Sequence, residues 1–183
     1  VGTMDMMGMT TYRMVDNLNN LKNERTAQLD FGFQAEHGAW NGWASAYAGL
    51  IKDFILLEYN TPTKRQPLAR NVDATIVGAE AGLGYQLTDH FQTDISAMYA
   101  WGKNTSDGRA LPQIAPLEGR LNLRYVDEKY SLGLLWRAVA KQNRISLNEG
   151  NVVGYDMNES KAFNTLAVNG TYRLTDAVDV SVG

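Results

Sequence analysis

Five of the chain's seven methionines fall in its first fourteen residues, VGTMDMMGMTTYRM, at Met4, Met6, Met7, Met9 and Met14; the other two are Met98 and Met157. A thioether is a soft, uncharged ligand, and softness suits Cu(I) better than a hard divalent ion. The i, i+2, i+3, i+5 spacing of MDMMGM lets two or three sulfurs converge in a turn around Gly8. Asp5 and Asp16 would assist a harder ion less well. The competing reading is packing, because methionine also fills irregular gaps in cores and at adaptable surfaces. For Met98 and Met157 the metal reading is weaker than for Met4, Met6, Met7 and Met9.

Other chemistries are soon exhausted. There is no cysteine, which excludes disulfides, thiolate metal sites and cysteine nucleophiles. Two histidines, His37 and His90, stand in separate short turns and make neither a metal site nor a catalytic pair. No nucleophile motif or phosphate loop is present, so no enzyme and no cofactor is expected. The carboxylate pair Asp127 and Glu128 reads as solvated turn. Asn104, Asn158 and Asn169 match glycosylation sequons by chance. With 17 basic and 20 acidic side chains and no basic block, nucleic acid is not an expected partner.

The elements that must position these residues are strands, since the hydrophobic period is two almost throughout. Ala27, Leu29, Phe31, Phe33 and Ala35 oppose Gln28, Asp30, Gly32 and Gln34. Phe91, Ile95, Ala97, Tyr99 and Trp101 oppose Gln92, Asp94, Ser96 and Met98. Leu117, Leu121, Leu123 and Tyr125 oppose Glu118, Arg120, Asn122 and Arg124, and Leu166, Val168, Tyr172 and Leu174 oppose Asn169, Thr171 and Arg173. About eight strands are expected, near 24–37, 41–59, 74–87, 91–104, 117–126, 130–146, 164–174 and 178–183. The segment 41–59 alternates least well, because LIKDFILLEY is apolar on both faces. No helical segment is expected, and no apolar run reaches the roughly 18 residues of a membrane helix.

Connections decide the architecture. Short ones (HGAW, TDH, DEK, TDA) alternate with long ones near 60–73, 105–116 and 147–163. Short turns on one side and long loops on the other is the pattern of an outer-membrane β-barrel. The polar face carries Asp94, Glu118, Arg120, Arg124, Arg137 and Arg173, too many charges for a small packed interior. A wide barrel with a wet lumen puts them inside and turns the apolar face to lipid. Trp40, Trp43, Tyr59, Phe91, Trp101, Tyr125, Tyr130 and Tyr172 lie near strand ends, as interfacial girdles would. A soluble β-sandwich or lectin-like module is the alternative, and the polar-face charges count against it. In the barrel reading, residues 1–22 form an extracellular loop, because the strand after them ends in the short turn HGAW. Its methionines are then exposed to the outside, where core packing does not explain them.

Several stretches now resemble a known family. NLKNERTAQLDFGFQ, WASAYAGLIKDFILLEY and LTDHFQTDISAMYAWGKNTSDGRALPQIAPLEGRLNLRY are similar to late barrel strands and loops of TonB-dependent outer-membrane receptors. RALPQIAPLEGRL, LWRAVAKQNRI and GNVVGYD look like the copper-receptor branch, the OprC type. The likeness runs nearly unbroken over 20–183. It implies a barrel of about 22 strands enclosing a plug. It implies import of copper, as transported substrate, driven by the inner-membrane TonB complex, with no chemistry on the cargo. The near alternative is the same machine for a siderophore, haem or cobalamin. Residues 1–183 would be the C-terminal portion of the barrel, with the plug and the final strand missing. The resemblance puts the family's principal copper ligands in the plug and in earlier loops, so no residue here inherits that role. The expected location is the Gram-negative outer membrane, with lipid, the receptor's own plug and the TonB complex as partners. Cut from such a barrel, the strands leave two open edges, which a bilayer forbids.

Overall fold

The computed structural model describes residues 20–59, 67–151 and 153–183. Ten antiparallel strands form one sheet: β1 (Arg25–His37), β2 (Trp40–Glu58), β3 (Leu68–Gln86), β4 (Phe91–Asn104), β5 (Arg109–Ala110), β6 (Glu118–Val126), β7 (Tyr130–Val139), β8 (Glu149–Gly150), β9 (Phe163–Thr175) and β10 (Val178–Val182). Neighbours follow chain order, β1-β2-β3-β4-β6-β7-β9-β10, while β5 pairs with β4 and β8 with β2. The sheet is open, with β1 and β10 as its outer strands.

The register carries one face around the whole sheet. Phe31 lies opposite Ala46, Ala46 opposite Ala79, and Ala79 opposite Tyr99. Further along, Ile95 meets Leu121, Leu121 meets Trp136, and Trp136 meets Leu166. This apolar face is not covered: Leu29 is 76% exposed and Phe31 69%. An exposed apolar face of this extent is what a lipid-facing barrel wall requires. The opposite, lumen-facing side carries Glu80, Asp94, Glu118, Arg120, Arg124, Arg137 and Arg173, as the alternation indicated.

Each short turn has its own closing device. Gly38 takes φ +58, a left-handed conformation that L side chains rarely adopt. The Thr88 hydroxyl accepts from the backbone N–H groups of His90 and Phe91. The Asp127 carboxylate accepts from Lys129 and Tyr130, both at 2.7 Å. These two donors, Tyr130 first, hold Asp127 below the usual carboxylate range. Just above the turns lies an aromatic belt, with Trp40 4.2 Å from Tyr85 and Tyr130 5.2 Å from Tyr172 between ring centres.

About nine to eleven residues suffice to cross a bilayer as a tilted strand. β2 and β3 have 19 each, so their upper ends project beyond it. There the packed core is found: Leu56, Leu57, Ala69, Val72, Ala74 and Leu111 are buried under the long loops. Two strand boundaries differ from the sequence reading for this reason. β3 starts at Leu68 rather than 74, because Leu68–Val72 ladder against Phe54–Glu58 beyond a bulge in β2. The bulge puts Asp53 at φ +59 and reverses the alternation there. β7 ends at Val139 rather than 146, where Ala140 N–H donates instead to Leu117 O and the chain turns into the loop layer. The segments expected to be plain loops also contribute the two-residue strands β5 and β8.

Two aromatics expected in the girdles stand elsewhere. Trp43 is on the lumen side, opposite Gly82, and Tyr59 stacks on Tyr155 among the loops, 4.6 Å between ring centres. The glycine explains the first: a Cβ at Gly82 would come within 2.5 Å of the Trp43 indole nitrogen, so the ring lies flat only because Cβ is absent. Gly82→Val in the full-length protein is expected to lift the Trp43 ring and destabilise the fold by ~1–3 kcal/mol, the usual range for overpacking. The temperature at which heat-modifiable migration on gels is lost should fall, and Trp43→Ala in the same background should restore part of it.

Candidate functional site

Of the methionines singled out by the sequence, Met4, Met6, Met7, Met9 and Met14 lie outside the described residues. Met98 is on the lumen face, where the register sets it between Glu80 of β3 and Glu118 of β6. With Ser45, Tyr47, Glu80, Ala115 and Pro116 it lines a recess of about 190 Å³. The two carboxylates are engaged by other groups. Ser45 Oγ donates to Glu80 at 3.0 Å. Glu118 accepts from Arg120 Nε at 2.7 Å and from Arg137 Nη2 at 2.6 Å. Met98 therefore offers a single thioether beside one carboxylate bridged by two arginines and one bonded to a serine hydroxyl. Met157 is in the loop layer and exposed. Its neighbour Asp156 is occupied by the N–H groups of Gln113 and Ser146.

His37 closes β1 opposite Trp40. His90 Nδ1 donates to Val126 O at 2.9 Å. The two histidines thus have separate structural surroundings. Among the described residues, no group of three or more His, Asp or Glu side chains could hold a metal ion.

The densest polar cluster is one that the sequence reading did not single out. Arg70, at the upper end of β3, donates through Nε to Glu58 at 2.5 Å and through Nη2 to Asp107 at 2.5 Å and Glu149 at 3.3 Å. Arg109 approaches Glu149 at 3.8 Å. Glu149 is 5% exposed and also accepts from the Ser146 hydroxyl. The cluster works because the loop 140–162 crosses above β3 and β4 to the free edge of β2. There Glu149 pairs with Glu58 and Gly150 with Leu57. β1 ends its ladder with β2 at Lys52, which leaves that edge open. Tyr59 extends the seam, its hydroxyl donating to Asn151 O, and burial raises its pKa, with the nearby Tyr155 adding to the effect. No local pattern marks this cluster, since its acidic members lie 12, 37 and 79 positions from Arg70. Such an arrangement can fix a loop over the barrel mouth; it offers no open coordination position.

With this geometry in hand, comparisons with known proteins are specific. The family model described as TonB dependent receptor-like, beta-barrel matches residues 5–183. No curated protein sequence matches. A solved structure of the copper transporter OprC is 50% identical, with a TM-score of 0.84, over 89% of this chain and 25% of its own. A ferric enterobactin receptor mutant from Pseudomonas aeruginosa, in complex with enterobactin, is 18% identical with a TM-score of 0.68, over 89% of this chain and 26% of its own. The FrpB iron transporter from Neisseria meningitidis (F3-3 variant) is 18% identical with a TM-score of 0.62, over 84% of this chain and 25% of its own. At 18% identity the last two show the fold alone. The chain spans about a quarter of the length of these proteins.

The Arg70 cluster makes two outcomes testable. Arg70→Ala leaves Glu149 with a desolvated carboxylate and should release the loop, so that protease cleaves full-length receptor within 140–162 several-fold faster. Arg70→Lys should rescue only in part, because one ammonium cannot reproduce a planar fork on three carboxylates. The hydrogen bond from Arg70, above all, holds the Asp107 pKa below the usual carboxylate range. The folded value is depressed, so the contribution is complete above the unfolded carboxylate pKa and is lost as pH falls below it. Cleavage of the wild-type receptor within 105–116, the loop that carries Asp107, should therefore stay flat from neutral pH to about pH 4 and rise below it, and the Arg70→Ala receptor should show no such rise.

Proposed function

The chain belongs to the TonB-dependent receptor-like β-barrel family, and from that premise we propose that it is the C-terminal part of the barrel of a receptor that imports copper. The family is one of outer-membrane transporters and receptors rather than enzymes. The specific reading is carried by one contrast: 50% identity to a copper transporter across nearly the whole chain, against 18% to an iron transporter and a ferric enterobactin receptor. The run MDMMGM supports it with chemistry of the right kind, because clustered thioethers select Cu(I) over hard ions.

In this reading residues 1–22 are an extracellular loop that captures Cu(I) through Met4, Met6, Met7 and Met9, with Met14 and Met157 as further thioethers on that side. Met98 stands lower, on the lumen wall, where a cargo ion would pass. The plug and the early strands belong to the remaining three quarters of the receptor, and the TonB complex is its separate inner-membrane partner. Copper is cargo here, bound by exchangeable soft ligands. Energy for its release comes through the plug, and the barrel strands keep the lumen polar and the wall closed to lipid.

Copper content of the full-length receptor in detergent tests the reading. Wild type is compared with a Met4, Met6, Met7, Met9→Ala variant under reducing and oxidising conditions. The expected result is Cu(I) bound by wild type, with the amount falling by half or more in the variant. Little Cu(II) should bind to either. Copper bound equally by both would reduce the run to loop packing. Absence of copper from both, with a ferric chelate bound instead, would turn the proposal over to a siderophore.

A further inference from the structure

On the outer face of β4 the outward positions read Ile95, Ala97, Tyr99, Trp101 and then Lys103, passing from apolar to charged within one strand. The Arg144 guanidinium reaches the same place from the loop layer, 4.9 Å from the centre of the Trp101 ring. Its Nη2 donates to Gly102 O at 3.0 Å. Stacking and hydrogen bond together fix this cation at the rim. Among the described residues neither Arg144 nor Lys103 meets a carboxylate. Two other outward cations near this level are paired: Arg25 with Asp53 at 3.4 Å and Lys52 with Asp73 at 2.5 Å. Two cations without a carboxylate partner among the described residues therefore belong to the upper end of β4, where the apolar wall ends, on the side of the long loops.

Below them the wall is hollow. A trough of about 360 Å³ has Ala46, Ala79, Ala81 and Ala97 in its floor and Phe31 and Tyr99 in its sides. In a flat wall lipid chains slide past; here an alkyl chain lying between the two rings gains contacts that a disordered bilayer would not supply.

We propose that this is a site for one outer-leaflet lipid with a phosphorylated headgroup, its phosphate on Lys103 and Arg144 and an acyl chain in the trough. The charge is complementary and the depth is right, since Trp101 marks the interface where headgroups begin. Arginine's planar fork matches phosphate oxygens in pairs, and lysine adds a point charge. The site rests on the outer-membrane placement of the barrel and is independent of the metal carried.

The test uses full-length receptor in phosphatidylcholine nanodiscs doped with lipid A, with retained lipid counted by native mass spectrometry. Wild type should retain lipid A. Lys103→Gln with Arg144→Gln should lower retention roughly tenfold, as expected for loss of charge-assisted bonds to phosphate. Ala81→Phe with Ala97→Phe, which fills the trough and leaves both cations, should lower it as well. Heat-modifiable migration confirms that each variant is a folded barrel. Unchanged retention in the charge variant overturns the site. So does loss in the charge variant with full retention in the trough variant, which would leave only attraction of a basic rim to an anionic surface. Release of the lipid by inorganic phosphate alone would assign the cations to a soluble anion and also overturn it.

Discussion

A bilayer core offers no water to the peptide group, so each N–H and C=O inside it must find a partner in the protein. Everything in this chain follows from that constraint. The strands pair with their neighbours in chain order because a meander with short turns satisfies the ladder with the least irregular backbone. The side chains then separate by parity, apolar outward and polar inward, because each face has a different solvent. The two outer strands, β1 and β10, show where the constraint is still unmet. Each needs further strands of a larger barrel before its outer ladder groups are paired.

The same constraint sets where packing can occur. Lipid is as apolar as leucine, so burial of Leu29 or Phe31 against lipid adds no hydrophobic driving force between strands. A water-excluding core forms only where water is present, above the bilayer. There Leu56, Leu57 and Leu111 are buried, at the ends of strands that outrun the membrane. The lumen wall is held differently, by glycines that let a neighbouring strand's side chain lie flat, as Trp43 does on Gly82, and by the Glu118 bridge to Arg120 and Arg137.

This division explains what could be read in advance. Where one face meets lipid and the other water, alternation is clean, and β1, β4, β6 and β9 stand close to where the period put them. Where both faces are covered, alternation fails. Leu56 and Leu57 are consecutive and both buried, so LIKDFILLEY reads as a defect although it carries two residues of the packed core. The early start of β3 was hidden for the same reason, since RNVD alternates poorly and is paired only because a bulge shifts β2. Trp43 has the composition of a girdle residue, and only its parity opposite Gly82 shows otherwise. The Arg70 cluster was not legible at all, because it depends on where a loop of more than twenty residues comes down. Of the methionine candidates, Met98 had its face assigned correctly from parity, whereas the loop position of Met157 said nothing about its neighbours.

The loop that crosses to β2 changes what the mouth can do. A mobile lid is drawn from the weakly held parts of a structure. The segment 140–162 is held by a strand pair, the Glu149 carboxylate on Arg70, and the Tyr59 seam. Swinging it away would expose the leucines beneath it to water and break the contact of Glu149 with Arg70, which would keep Glu58 and Asp107. On this side the mouth is therefore a fixed rim. Selection by movement has to come from other loops or from below, while this part of the wall supplies a rigid frame whose Met98 thioether and charges stay where the strands set them.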